Sequence, residues 1–266
     1  MNLQEPHELP SALDHVDTIM NKKGERPFLF FFDFDGTLAP IVDKPEKAAL
    51  TDENRVLLQK LADTYKVAIV SGRDRLDIEN KVNLANLYYA GSHGFDIAGP
   101  DDLNHQYPEA DEILPELESV SNSLKELFKD EEFVKIEKKK FAIAVHHRGA
   151  SSALVNEVED KVKEKISQSE NLKWDKGKSI IEIKPAVNWN KGKAVLWIMD
   201  ELDMSAEKCL PIYLGDDTTD EDAFKELRDI GVSVMIEDHE QKTHAQYGLN
   251  DQKQVAEFIK QILSYV

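Results

Sequence analysis

The stretch FFFDFDGTLAP, residues 30–40, constrains the fold more than any other part of the chain. Phe28 to Phe32 form an unbroken apolar run of strand length, the pattern of a strand buried on both faces. Asp33 and Asp35 follow where that strand ends. Two carboxylates so close repel each other, and both lose water at a sheet edge. A positive group is therefore expected beside them.

The rest of the chain alternates in the same style. TDENRVLLQKLAD (51–63) opens with a Thr cap and carries apolar residues at helical spacing. KVAIV before Ser71 and NLYYAG before Ser92 read as two further buried strands. This β-α-β-α-β order implies a parallel sheet with helices on both faces. Residues 100–109 are polar and contain proline, which reads as a linker. The pattern then changes. A helix at 110–130 precedes two strands joined by a lysine-rich turn in EFVKIEKKKFAIAVHHR. A helix at 151–168 and a hairpin in NLKWDKGKSIIEIKP follow. Tight turns between strands indicate an antiparallel sheet. From about 186 the first pattern resumes, with helices at NKGKAVLWIMDEL, TDEDAFKEL and QKQVAEFIKQIL and strands at CLPIYLG and GVSVMI. The expected fold is α/β: a doubly wound, mostly parallel sheet core with an inserted α+β cap. Its parts are an N-terminal tail (1–25), core (26–105), cap (106–186) and core again (187–266).

Composition narrows the class of function. A net charge of −18 argues against nucleic acid and against anionic membrane surfaces, both of which are bound through excess Lys and Arg. It leaves room for a small phosphorylated substrate if a cation supplies local positive charge. No stretch is apolar over the ~18 residues a membrane span needs. The N-terminal stretch has no apolar signal region. Cys209 is the single cysteine, which fits a reducing compartment and a cytoplasmic location.

In parallel α/β sheets, ligands bind beyond the carboxyl ends of the strands. One strand ends at Asp33 with Asp35 beyond it, another at Ser71, and PIYLG ends at the acidic run Asp216, Asp217 and Asp220. Lys191 opens a helix. Each piece alone has an ordinary explanation: a turn former, a helix cap, a solvated lysine, or acids complementing a helix dipole. A bland sheet has no need of acids at two separate strand ends. Their convergence calls for a cation, and hard oxygen ligands of this number suit Mg2+.

DFDGTL, SGR, a lysine at a helix start and GDDTTDEDAF together resemble the haloacid-dehalogenase superfamily of aspartate-based phosphatases. DFDGTLAPIV, YYAGSHGFDI, AVHHR, EIKPAVNWNKGKAV and YLGDDTTDEDAF narrow the resemblance to its trehalose-6-phosphate phosphatases, over nearly the whole chain. The resemblance implies a Mg2+-dependent phosphatase with Asp33 as nucleophile and Asp35 as acid/base. Asp33, the backbone carbonyl of Asp35, and Asp216 would hold the metal. Lys191 adds positive charge and Ser71 a hydrogen bond to a phosphoryl oxygen. Thr37 shapes the turn, and Asp217 and Asp220 fix the loop behind the ligands.

That core reads only phosphate, so the sugar must be read by the cap. In FAIAVHHR, Phe141, Ile143 and Val145 alternate with Ala144, His146 and Arg148. Ile181 and Ile183 oppose Glu182 and Lys184, and Val134 and Ile136 oppose Glu137 and Lys139. The family's sugar contacts match Glu137, Lys139, His146, Arg148, Glu182 and Lys184. Lys140 rivals Lys139, and His93 in GSHG would sit near the site mouth. His147, on the apolar face, reads as structural. The implied partner is a phosphosugar, and the resemblance allows a trehalose-phosphate synthase as well. Two alternatives stay open: a phosphatase for another phosphosugar, such as sucrose phosphate or glucosylglycerate phosphate, and a non-catalytic binding module on the same fold.

Overall fold

In the computed structural model, residues 3–42, 44–167, 169–177, 179–237 and 241–266 are described. The chain divides into two compact units, one of residues 1–105 and 189–266, the other of residues 106–188.

The first unit begins with helix α1 (Val16–Lys23) and strand β1 (Phe28–Phe32). Helix α2 (Asp52–Thr64) starts where the Thr51 side chain accepts the N–H of Asn54, and leads to β2 (Lys66–Val70). Helix α3 (Arg75–Val82), β3 (Tyr88–Gly91), β4 (Asp96–Ala98) and β5 (Asn104–Gln106) follow. The second unit holds α4 (Pro108–Leu127), β6 (Lys135–Lys138), β7 (Ile143–His146), α5 (Ser152–Ile166), β8 (Leu172–Gly177) and β9 (Ile180–Pro185). The chain then returns through α6 (Lys191–Glu201), β10 (Leu210–Gly215), α7 (Glu221–Leu227), β11 (Val232–Ile236), β12 (Tyr247–Leu249) and α8 (Gln252–Leu263). Among the described residues no helix is long and apolar enough to cross a membrane.

The first unit is an eight-stranded sheet in the order β12-β11-β10-β1-β2-β3-β4-β5. Strands β12 to β3 run parallel, and β4 turns back antiparallel on β3. The phenylalanine run explains the double layer. Phe28, Phe30 and Phe32 pack on one face with Leu57, Leu58, Leu61 and Phe258 from α2 and α8. Leu29 and Phe31 pack on the other with Val195, Ile198 and Phe224 from α6 and α7. All five residues of β1 are fully buried, each worth about 1.5–3 kcal/mol of apolar transfer. Strand β1 lies between β10 and β2, where the strand order reverses, the place at which such sheets bind ligands.

The second unit is a four-stranded antiparallel sheet, β6-β7-β9-β8. Ile143, Val145, Ile181 and Ile183 face Leu117 and Leu124 of α4 and Val158 and Val162 of α5. The opposite face carries the polar alternates.

Two segments differ from the sequence reading. Residues expected to form a tail belong to the first unit: Ala12, Val16 and Ile19 are buried in the core that β1, α2 and α8 share. Their four- and three-residue spacing puts one apolar stripe on the segment, with Leu13 and Met20 packed beside it. Lys22 Nζ donates to Gly231 O at 2.6 Å, and Arg26 Nη1 to Ala206 O at 2.6 Å, which ties the segment down further. The polar stretch expected as a linker at 100–109 contains β5 and the first residues of α4. Helix α3, which the β-α-β-α-β order implies between β2 and β3 without giving it bounds, buries only Ile78 and Val82.

Replacing Ile19, 1% exposed, by alanine is expected to destabilise the first unit by about 2–4 kcal/mol. Urea unfolding followed by tryptophan fluorescence measures this. A loss below about 0.5 kcal/mol would mean the segment does not contribute to the core.

Candidate active site

The parallel register brings the ends of β1, β2 and β10 level. Phe32 pairs with Leu214 on one side and Ile69 on the other, so Asp33, Ser71 and Asp216 leave the sheet at one edge. The Asp33 N–H donates to Leu214 O at 2.9 Å, which extends the ladder into the site. The chain then turns sharply. Gly36 has φ of +87° and donates its N–H to Ala39 O at 2.7 Å. A Cβ at Gly36 would lie 2.0 Å from Oδ2 of Asp216, so only glycine lets this turn press against the β10 loop. Thr37 Oγ1 donates to Asp216 Oδ1 at 3.3 Å across the same contact.

Lys191 holds the centre. Asn190 caps α6 by accepting the Lys193 N–H at 2.9 Å, which sets Lys191 in the first helical position. Its Nζ donates to Asp33 Oδ1 and Asp220 Oδ1, each at 2.7 Å, with the side chain 3% exposed. Burial alone would push the lysine pKa down. The two carboxylates, Asp220 foremost, outweigh it and hold the ammonium charged well above its ordinary range.

Asp220 is fully buried and fully engaged. Oδ1 accepts from Lys191 and from Tyr213 Oη at 2.6 Å, and Oδ2 accepts the N–H groups of Asp216 at 3.1 Å and Asp217 at 3.0 Å. Four donors meet the carboxylate, and two of them are the backbone of the loop that carries Asp216. Asp220 thus fixes that loop. Asp217 is exposed and caps its own turn, accepting from Thr218 N–H at 2.6 Å.

Oxygens of Asp33, Asp216 and Asp220 lie within 4.8 Å of one another. Three carboxylates share one ammonium, a local deficit of positive charge. Burial, partly offset by Lys191 and reinforced by Asp220, raises the Asp33 pKa to about 7. Burial, then repulsion from Asp33 and Asp220, raises Asp216 to about 9. Such a set fits a hard divalent cation. Asp220 has its oxygens taken by four donors, so Asp33 and Asp216 carry the uncompensated charge.

The remaining core residues lie around this cluster. Ser71 is buried, donates its N–H to Ala90 O at 2.9 Å and accepts the Arg73 N–H on its Oγ at 3.2 Å. His93 adopts a left-handed φ of +59° and donates its N–H to Ser71 O at 2.8 Å. Its ring covers Gly72, where a Cβ would come within 2.9 Å of His93 Cε1. The Asp35 carboxylate lies outside the three-acid cluster and is gripped by Arg73. The sequence reading assigned no role to Arg73 or Tyr213. Arg73 is visible as the third residue of SGR, and Tyr213 as the polar member of an apolar strand ahead of the acidic run.

The second unit carries its own constellation. Across its polar face, Glu137 pairs with Ala144, Ala144 with Glu182, and Glu182 with Asp175. His146 Nε2 meets Glu137 Oε2 at 2.8 Å, Lys139 Nζ reaches Glu182 Oε1 at 3.1 Å, and Lys184 Nζ reaches Asp175 Oδ2 at 2.5 Å. The hydrogen bond to His146 and the nearby Lys139 hold Glu137 below its ordinary pKa. Lys140 lies over the Phe141 ring at 5.0 Å. Arg148 is exposed beyond the end of β7, and His147 is buried.

Comparison with known proteins agrees with this arrangement. The profile of the family described as trehalose-phosphatase matches residues 31–254. A trehalose-phosphate phosphatase of Mycobacterium marinum is 40% identical over 261 residues, 97% of this chain and 66% of that protein. This chain therefore spans about two thirds of the length of that relative. A probable trehalose-phosphate phosphatase of Oryza sativa is 37% identical, over 96% of this chain and 73% of its own length. The C-terminal domain of the C. albicans trehalose-6-phosphate phosphatase superposes with a TM-score of 0.79 at 26% identity, covering 97% of this chain and 99% of that domain. Because the matched span takes in the second unit, most of the first and every strand end that meets at Lys191, the chain belongs to the trehalose-phosphatase family.

Proposed function

We propose that this chain hydrolyses trehalose 6-phosphate to trehalose and phosphate through a phosphorylated Asp33. The observation that carries this reading is the buried Lys191 ammonium between Asp33 and Asp220, beside a third carboxylate. A carboxylate at a strand end, with a fixed cation next to it, is a nucleophile placed for an electrophile that is itself anionic.

In the first half-reaction an Asp33 oxygen attacks phosphorus. The bond from phosphorus to the sugar oxygen breaks, and Asp35 gives that oxygen its proton. Lys191 and the Ser71 hydroxyl bind the phosphoryl oxygens, where charge develops. In the second half-reaction water attacks the aspartyl-phosphate and Asp35 takes its proton, which returns Asp33 and releases phosphate. Mg2+, held by Asp33, Asp216 and the main-chain carbonyl of Asp35, would supply the positive charge that lets a phosphate dianion approach a carboxylate.

The sugar is read by the polar face of the second unit. Glu137, Lys139, His146, Arg148, Glu182 and Lys184 offer both signs of charge, and charged groups bind hydroxyls through hydrogen bonds stronger than neutral ones. The Glu137–His146 and Lys139–Glu182 pairs orient these groups before any ligand arrives.

Phosphate release from a panel of sugar phosphates, with Mg2+ and with EDTA, tests the reading. Mg2+-dependent preference for trehalose 6-phosphate is expected. Even activity over many sugar phosphates would keep the phosphatase and discard the substrate, and no release from a folded protein would leave a binding module. Asp33→Asn should keep the fold and lower turnover by about four orders of magnitude or more; retained turnover would sink the covalent route. Glu182→Ala should raise KM for trehalose 6-phosphate about 10- to 100-fold, the loss of one or two charged hydrogen bonds, while an aryl phosphate changes less than about twofold. Equal changes on both would remove the sugar-reading role.

The raised carboxylate pKa values set a stability trend in metal-free protein. Between about pH 4 and the folded values of about 7 for Asp33 and about 9 for Asp216, the native state keeps protons that the unfolded state has released. Stability therefore falls as pH rises through this window. Thermal unfolding in EDTA should show a Tm that declines from pH 5 to pH 8, and saturating Mg2+ should flatten the decline. A Tm that rises over the same range in EDTA would refute the raised pKa values.

A further inference from the structure

We infer that Arg73 is a positioning residue that presents the Asp35 carboxylate as the base of the second half-reaction. The inference rests on the proposed acid/base role of Asp35. The guanidinium grips that carboxylate in a bidentate fork: Nε donates to Oδ2 at 2.6 Å and Nη2 to Oδ1 at 2.7 Å. Planar pairs of this kind fix both the distance and the plane of a carboxylate.

The two partners are not equally held. Arg73 is 12% exposed and Asp35 is 40% exposed. Arg73 is anchored on every side: Nη1 donates to Asp77 at 2.9 Å on the exposed side of α3, and Nη2 also donates to Pro45 O at 2.8 Å. Its main-chain N–H meets Ser71 Oγ, and its guanidinium lies 5.7 Å from the centroid of the buried Phe34 ring. Asp35 follows Asp33 by two residues and repels it. Without Arg73, a half-exposed carboxylate next to an acidic cluster would turn toward water. The fixed arginine therefore decides where Asp35 points.

The chemistry of the grip favours one half of the reaction. Each carboxylate oxygen has two acceptor sites, and the fork uses one on each. One site per oxygen remains to take a proton, so the gripped carboxylate is competent as a base as it stands. Donation of a proton to the sugar oxygen requires Asp35 to be protonated, which removes the negative charge that makes the fork strong. Arg73 thus serves the hydrolysis of the aspartyl-phosphate, in which water loses a proton to Asp35, its oxygen bonds to phosphorus, and the bond from phosphorus to Asp33 breaks.

The test separates the two half-reactions in the Mg2+-loaded protein with p-nitrophenyl phosphate, whose phenolate leaves without a proton. Rapid mixing reads the burst of nitrophenolate and the steady rate after it, and acid quench with intact-mass analysis reads phosphate bound to protein. Arg73→Met is expected to slow the steady rate about 10- to 100-fold, to keep a burst close to one per site, and to accumulate phosphoprotein. Arg73→Lys keeps the charge without the fork and should fall between parent and Arg73→Met; it also serves if Arg73→Met does not unfold cooperatively. A purely structural role would lower burst and steady rate together and leave no phosphoprotein, which would overturn the proposal, as would Arg73→Lys behaving like the parent. Asp35→Asn is the reference. If it accumulates phosphoprotein and the Arg73 variants do not, Arg73 is not the positioning residue. If Asp35→Asn accumulates none, the acid/base role of Asp35 itself is what fails.

Discussion

A buried ammonium between two buried carboxylates is the interaction on which the site depends. Lys191 and Asp220 meet where almost no water reaches, and removing one partner of such a pair costs about 3–5 kcal/mol because the other charge is left alone. The fold spends several independent elements on holding it. The Asn190 cap sets the first turn of α6, the β1–β10 register sets Asp33, and the Tyr213 hydroxyl with two backbone N–H groups sets Asp220. Because Asp220 accepts from the same loop that carries Asp216, the ion pair and the position of the third acid are one structure. A change at Tyr213 or Asp220 would therefore reach Asp216 without touching it.

The phenylalanine run serves this arrangement from behind. A strand at the switch point must be covered on both faces, and alternation sends Phe28, Phe30 and Phe32 to one helical layer and Leu29 and Phe31 to the other. Phe31 also stacks on Tyr213, with ring centroids 6.5 Å apart and planes 19° from parallel. The apolar packing of β1 and the hydroxyl that steadies Asp220 thus share a ring contact. Tight packing here has a chemical result, since a carboxylate at the end of an immobile strand keeps its distance to the lysine.

What could be read in the chain beforehand follows the length and purity of each signal. Strands β1, β2 and β10 are continuous apolar runs, and α2 and α6 open with Thr51 and Asn190 as caps, so these elements are legible from sequence. The bounds of helix α3 escape because it places only Ile78 and Val82 in the core, too few for a period. The segment before β1 escapes because its stripe of Ala12, Val16 and Ile19 is diluted by charged neighbours. The acids at the strand ends are legible as acids. Their roles come from the family resemblance, but the partners that hold them are not legible, because these lie far away in sequence: Arg73 lies 38 residues from Asp35, and Lys191 lies 158 from Asp33. A spacing rule sees the residues of a site, and only the folded register shows which of them hold one another.

The charge balance of the core also explains why an acidic protein can act on an anion. With Asp220 satisfied by four donors, the uncompensated charge falls on Asp33 and Asp216, whose pKa values are raised first by burial and then by repulsion among the acids. A phosphate dianion brought to that spot would add to the repulsion, so substrate and cation must be bound together. The core then distinguishes a phosphoryl group from water and little else. Discrimination among sugars has to come from groups that recognise hydroxyls, and the paired charges on the polar face of the second unit are the proposed readers. Their ion pairs keep part of each side chain in water, so in that proposal exchanging one partner for a hydroxyl costs little.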